Sequence, residues 1–408
     1  MLLLYNIVIQ LYFYFISFAS IFNKKARKWL FGRKKNIQNL NENSIWFHFA
    51  SLGEFEQGRP VLEKIRALYP DDKIVLTFFS PSGYEIRKNT PLANAVYYLP
   101  LDTAKKASHF IEAIKPKFAV FTKYEYWYHF FNEMHKRDIP LYIISGIFRP
   151  EQIYFRWYGS LHRKILGFVT YFFVQDDASK QLLFGIGINK VAVSGDTRFD
   201  RVWQNAQHPQ RIPYLTEFKN GQKMFVAGST WSPDEKLLST LISEHPDWKF
   251  VIAPHEISED KITALTNLLP VATTVRYSQF KSYEEPFATY QTLIIDNIGM
   301  LSSLYQYADI AYIGGGFGVG IHNTLEAAAF GVPVIFGPNY SKFIEARDLI
   351  KLRAGFSIKD ERELKDVFKK LISDERELKS TGERSLAFVK DHIGATDVIL
   401  KEIIKPKA

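Results

Sequence analysis

The chain of 408 residues contains no cysteine. Disulfides, thiolate metal sites and cysteine nucleophiles are therefore excluded, and nothing points to an oxidising compartment. It has no low-complexity tract and no short-period repeat. A Walker lysine is missing, and the one glycine-rich segment does not have the G-x-G-x-x-G spacing of dinucleotide dehydrogenases. Acidic residues are in deficit: 43 Asp and Glu stand against 52 Lys and Arg, giving a net charge of +9. That excess suits an anionic partner such as nucleic acid, a phosphorylated substrate or an anionic membrane. With 47% hydrophobic residues the chain has ample material for a packed core.

Residues 1–22 carry no charged side chain and are about long enough to cross a bilayer core of about 30 Å. A basic cluster of Lys24, Lys25, Arg27, Lys28, Arg33, Lys34 and Lys35 follows. By the positive-inside rule it places the rest of the chain in the cytoplasm, with the cluster against anionic headgroups. The same segment can also lie flat in the interface, with Asn6, Gln10 and its aromatic residues forming a wet face. A cleaved signal peptide fits less well, because the basic residues come after the apolar run.

From Ser44 onward, short apolar runs alternate with amphipathic stretches that end at proline, so buried parallel strands alternate with helices. That alternation predicts a doubly wound α/β architecture. A polar stretch at 203–221, with two prolines and a final Asn-Gly pair, interrupts it and marks a linker. The organisation expected is an anchor and basic collar over 1–35, a Rossmann-like domain over 36–205, and a second over 222–408. A last helix at roughly 384–404 is expected to return to the first domain.

Three stretches carry chemistry. In Ala311–Pro338 a strand ends in Gly314, Gly315 and Gly316, a loop runs through Gly318 and Gly320, and a helix is expected to begin near His322 or Asn323. Glycines let a ligand approach the backbone, and a helix N-terminus offers free N–H groups to an anion, so the pattern predicts a phosphate site. Glu326, one turn into that helix, is placed to accept from a ribose diol. Ser229 and Thr230, after the first strand of the second half, are placed to present hydroxyl and N–H groups to the same phosphate. In the first half, Glu54 of SLGE follows the first strand, at the edge where such sheets bind ligands, and is a candidate general base with Glu56 as its competitor. Glu125 sits at another strand end. Arg59, Lys123, Arg149 and Arg198 are candidate clamps for anionic groups.

Taken together, SLGEFEQGRPVL, SPSGYE, YEYW, SGDTRFDRV, AGSTWSPDE and GGGFGVGIHNTLEAAAFGVPVIFGP occur in an order that resembles the 3-deoxy-D-manno-octulosonic acid (Kdo) transferases of lipopolysaccharide synthesis. The resemblance covers nearly the whole chain. It implies a GT-B fold, two Rossmann-like domains facing a central cleft with an N-terminal membrane-anchor helix. It implies metal-free, cofactor-free inverting transfer of Kdo from CMP-Kdo to a phosphorylated lipid A precursor, lipid IVA. It places the catalytic domains on the cytoplasmic side of the cell inner membrane, so that the positive charge needs no nucleic acid. Glu54 becomes the base, and Ser229, Thr230, His255, Gly318, Gly320, His322, Asn323 and Glu326 the donor-binding set. Arg59, Lys123, Glu125 and Arg149 are the acceptor-binding set. Two segments depart from the family pattern: APHEISE keeps His255 but not the usual preceding arginine, and Ile298-Gly299-Met300-Leu301 lacks the usual acid. Arg198 stands where a lysine is common. Other readings are a different GT-B enzyme, a UDP-sugar transferase or epimerase, or a non-catalytic lipid A-binding membrane protein.

Overall fold

The apolar runs of the first half form seven strands: β1 (Ser44–Phe49), β2 (Lys73–Phe78), β3 (Ala95–Tyr98), β4 (Pro116–Thr122), β5 (Leu141–Gly146), β6 (Tyr171–Val174) and β7 (Val191–Val193). They pair in parallel in the order β3-β2-β1-β4-β5-β6-β7. All six residues of β1 are buried, as expected of a parallel strand covered on both faces by helices. Ile45, Phe47 and Phe49 enter one apolar cluster while Trp46 enters the other. This strand therefore anchors both halves of the core, and whatever follows it is held rigidly.

The computed structural model describes residues 1–33, 37–40, 43–282 and 286–404, so Lys34 and Lys35 of the basic cluster lie outside the described residues. The chain divides into two units, one of Met1–Arg201 with the segment from Ile393 onward, the other of Val202–His392. The second unit has its own parallel sheet: β8 (Met224–Thr230), β9 (Lys249–Pro254), β10 (Thr274–Arg276), β11 (Thr292–Ile294), β12 (Ile310–Ile313), β13 (Val334–Phe336) and β14 (Gly355–Ser357). Its order is β10-β11-β9-β8-β12-β13-β14. Phe225, Phe250, Tyr312 and Phe368 pack in its core.

Strand order reverses between β1 and β4 in one sheet and between β8 and β12 in the other. Doubly wound sheets bind ligands outside the strand ends at such points. The segments singled out in the sequence follow these four strands. Ser229 is the bulged residue of β8, where the register with β9 shifts, and its φ is +54°. Lys123 just beyond β4 has φ +60°. Non-glycine residues in this region carry backbone strain of a kind that clusters at ligand sites.

The segment at 203–221 is more ordered than its composition suggests. A helix runs from Thr197 to Gln207, and a short one from Leu215 to Lys219 buries Leu215 and Phe218. The polar side chains simply occupy the outer face. In place of one terminal helix, Glu375–Lys390 and Ala395–Ile403 are separate, broken at Gly394 with φ +109°. Ile399, Leu400 and Ile403 of the latter enter the first unit's core beside Phe47 and Phe49. Asp200 fixes its start, accepting from the amides of Gly394 and Thr396 and from the Thr396 hydroxyl at 2.6–2.7 Å.

Among the described residues one helix, Leu2–Ala19, is long and apolar enough to cross a membrane. Of the basic residues that follow, Lys24, Lys25, Arg27 and Lys28 are exposed. Arg33 is not a headgroup contact. Its guanidinium lies 3.7 Å above the Trp29 ring and donates to the carbonyls of Trp29, Phe79 and Leu99. Arg27 donates to the carbonyls of Ser20 and Ile21. Arg33 was expected at the lipid surface, but carbonyls left open where the chain turns claim it instead, whereas Arg27 remains exposed.

Candidate active site and nucleotide site

Ser51 starts the helix Leu52–Leu68, and Glu54 lies in its first turn. Its carboxylate accepts from the Ala50 amide at 2.6 Å, which holds it at the end of β1. Burial pushes the Glu54 carboxyl up to about 7; the Ala50 bond and Lys123 oppose this and Glu125 reinforces it. A carboxylate poised near neutrality is matched to accepting and releasing a proton.

Glu56, the competing carboxylate, is occupied: Arg87 lies 2.5 Å away, Arg201 3.3 Å and Arg59 3.6 Å. Arg59 also binds Glu63 at 2.6 Å, so its guanidinium is committed to its own helix. The structure does not bring Arg59 to the candidate base. Helix periodicity explains this, since residues 56, 59 and 63 share one face. Arg198 is likewise engaged, meeting Asp196 at 2.7 Å. Burial raises the Asp196 carboxyl, but Arg198 more than offsets it and holds it low. Gln57 donates to Asp196 at 2.6 Å, pinning the SGDTR segment to the Glu54 helix.

Lys123 and Glu125 do reach this neighbourhood, as their electrostatic action on Glu54 shows. Arg149 is exposed and, with Glu54, acts on the Tyr124 hydroxyl. Glu125 accepts from Trp127 Nε1 at 3.0 Å and meets His48 Nε2 at 3.4 Å. The other ring nitrogen of His48 contacts the Thr77 hydroxyl at 2.8 Å. Burial lowers the His48 pKa, so the ring is neutral and couples a buried hydroxyl to Glu125. The sequence reading missed His48 and Thr77. The available signal was a single histidine inside the apolar run IWFHF, on the face opposite Phe47 and Phe49.

In the second unit the middle one of the three adjacent glycines, Gly315, has φ +91°, and the outer two are held by close neighbours. A Cβ on Gly314 would meet the Ser229 carbonyl oxygen at 2.3 Å, and one on Gly316 would meet the Gly337 backbone at 2.6 Å. These two serve close backbone packing. At Gly318 an added Cβ would meet nothing closer than 3.5 Å, and Gly318 is exposed. Gly320 has φ +148° and backs onto the Phe343 ring. The predicted helix is a single turn, Leu325–Ala328, because Gly331 (φ +71°) and Pro333 follow at once. Its dipole is correspondingly small, which leaves side chains and loop amides as the polar groups at this strand end.

Those side chains converge. Trp231, His255 and His322 stack in series, with centroids 4.8 Å apart for the first pair and 4.4 Å for the second. Trp231 Nε1 donates to His322 Nε2 at 3.2 Å, leaving Nδ1 to carry the ring proton. Burial and then His255 lower the His322 pKa to about 4. Asn323 accepts from the Leu325 amide and donates to Glu326 at 3.2 Å. Thr230 is buried and donates to Glu235, so its hydroxyl faces inward, while Ser229 is half-exposed. Asp234 fixes the cradle by accepting from the amides of Trp231 and Gly315 and from the Tyr312 hydroxyl. Trp231 and Asp234 were absent from the predicted set, although AGSTWSPDE contains both.

Two doubly wound units of this kind, one with a carboxylate and the other with a glycine-lined loop at the strand ends, define the GT-B architecture. The fold is similar to that of UDP-GlcNAc 2-epimerase from Neisseria meningitidis, with a TM-score of 0.63 and 14% identity over 89% of this chain and 100% of that one. Residues 25–201 match the family described as 3-Deoxy-D-manno-octulosonic-acid transferase (kdotransferase). The 3-deoxy-D-manno-octulosonic acid transferase of Chlamydophila psittaci is 30% identical over 336 residues, covering 80% of this chain and 76% of that protein. A bifunctional glycosyltransferase/methyltransferase of Fusobacterium nucleatum is 24% identical over 89% of this chain, which spans 57% of that relative's length. The chain belongs to the Kdo transferase family.

Proposed function

We propose that this protein is an inverting transferase that moves Kdo from CMP-Kdo to a phosphorylated lipid A precursor, lipid IVA, at the cytoplasmic face of the inner membrane. The observation that carries the reading is Glu54 at the strand-order reversal, with its carboxyl pushed up to about 7. Glu54 takes the proton of the acceptor hydroxyl as the oxygen attacks the anomeric carbon. The bond from that carbon to the phosphate oxygen breaks, and CMP departs with the electron pair. In-line displacement of this kind inverts the anomeric centre.

Each unit supports one half of that chemistry. Lys123 and Arg149 supply positive charge beside Glu54 for the acceptor's phosphate or carboxylate groups. In the second unit the donor's phosphate fits beside Ser229, the exposed Gly318 backbone and His322 Nδ1–H. Glu326, oriented by Asn323, suits the ribose diol.

The deciding experiment is incubation of the purified protein with CMP-Kdo and lipid IVA, read by product mass. Transfer by the parent and its loss in Glu54→Ala, with CMP binding retained, support the reading. Near-normal turnover by Glu54→Ala overturns the role of Glu54. Thermal stabilisation by UDP but not CMP overturns the donor assignment.

A further inference from the structure

The helix Leu2–Ala19 meets the first unit along one stripe, through Tyr5, Asn6, Ile9, Phe13 and Ile16. Ile9, Trp29 and Leu101 form a small apolar cluster there, with Phe79 and Trp127 packed against it. Two part-buried polar ties reinforce it. Tyr5 donates to Asp102 at 2.5 Å and accepts from the Tyr128 amide, and Asn6 meets His129 Nε2 at 2.7 Å. Asp102 is itself buried and accepts from the amides of His129 and Phe130, so it cannot follow Tyr5 elsewhere.

Position along the helix decides its topology. Eighteen residues at roughly 1.5 Å each span about 27 Å, so in a spanning helix the first turns lie a bilayer's thickness from the basic collar. Here the residues tied to the folded unit are at positions 5, 6 and 9, in the first half. The helix can cross only by breaking those ties, which would carry Tyr5, Asn6 and Ile9 to the far side of the bilayer and leave Asp102 and His129 without these partners. The outward stripe is different in kind. Leu3 is 75% exposed, Phe15 68% and Phe18 67%, with Leu4, Leu11 and Phe22 on the same side. The exposed Lys24, Lys25 and Lys28 follow directly.

We propose that Leu2–Ala19 does not cross the bilayer but lies in its plane, docked on the first unit, with the Leu3–Phe15–Phe18 face in the acyl boundary and Lys24, Lys25 and Lys28 on anionic headgroups. The proposal rests on the membrane reading above. In-plane amphipathic helices bind by buried apolar area plus attraction to anionic lipid, which are the two features this segment presents. The same docking places the wall formed by Phe79 and Trp127, which adjoins Glu125, at the membrane surface: Tyr12 stacks on Phe79 at 6.2 Å and Phe79 on Trp127 at 5.2 Å.

The test uses the full chain in sealed vesicles containing phosphatidylglycerol, with the catalytic units outward. Because the protein has no cysteine, one cysteine appended ahead of Met1 is the sole thiol. A membrane-impermeant maleimide is expected to label it without detergent. Phe15→Glu is expected to weaken vesicle binding at least tenfold with an unchanged Tm, and pure phosphatidylcholine vesicles to bind the parent at least tenfold more weakly. Labelling only after detergent overturns the in-plane arrangement while leaving membrane attachment intact. Failure of the parent to bind vesicles, including a parent held in solution by self-association through this face, overturns both.

Discussion

Trp231 Nε1 donates to His322 Nε2 at 3.2 Å, and this bond fixes which nitrogen of His322 carries the ring proton. With its pKa lowered to about 4, the ring is neutral at pH 7. The neutral ring offers its Nδ1–H to a phosphate while Nε2 is held by Trp231, and protonating Nε2 would break that bond.

His322→Phe, which removes the Nδ1–H donor, is therefore expected to lower CMP affinity by about tenfold, a change of roughly 1.4 kcal/mol, measured by calorimetry. Unchanged affinity in this variant would place the phosphate elsewhere.

Glu125 raises the Glu54 pKa and Lys123 lowers it, so the two neighbours have opposite signatures. The parent's kcat/KM is expected to fall as pH drops below about 7, as Glu54 becomes protonated. Glu125→Gln moves that limb to lower pH, and Lys123→Met moves it to higher pH. Shifts in the same direction for both would contradict the arrangement.

Glu54 is expected to cost stability. Its folded pKa of about 7 exceeds the unfolded value of 4.5, so between those two values the folded state holds more protons. Stability then declines as pH rises through this window and stays lower above it. Glu54→Gln, which keeps an oxygen for the Ala50 amide, should be more stable than the parent at pH 8, by on the order of 1–2 kcal/mol after solvent screening of a half-buried group. It should match the parent near pH 4. Urea unfolding at both values checks the sign.

The glycine cradle predicts a contrast. Gly316→Ala forces a Cβ to 2.6 Å from Gly337 and should cost about 2–3 kcal/mol of stability, read by urea unfolding. Gly318→Ala has room and should unfold within about 0.5 kcal/mol of the parent. If Gly318 approaches the donor, this stable variant nevertheless weakens CMP binding.

The uninterrupted apolar runs and the period-3.6 stretches made the strands and helices readable, because parallel strands buried on both faces carry no polar alternation. SLGE and the glycine block marked the ends of β1 and β12 for the same reason. What the sequence could not show was which charges were already spoken for. Arg59 and Arg149 look alike as letters, yet Glu56 and Glu63 hold the first and leave the second exposed. Nor does spacing tell a glycine that admits a ligand from one that admits a neighbouring strand, as Gly318 and Gly316 demonstrate. His48 was hidden because its partners, Thr77 on β2 and Glu125 in the loop after β4, are far away in the sequence.

The helix Ala395–Ile403 completes the core of the first unit although nearly two hundred residues of the second intervene. During synthesis, domains generally fold as units from the N-terminus. Here the slot for Ile399, Leu400 and Ile403 must stay vacant until the ribosome has passed residue 403. The nascent first unit thus waits, part-built and with sticky apolar surface showing, while the second is being made.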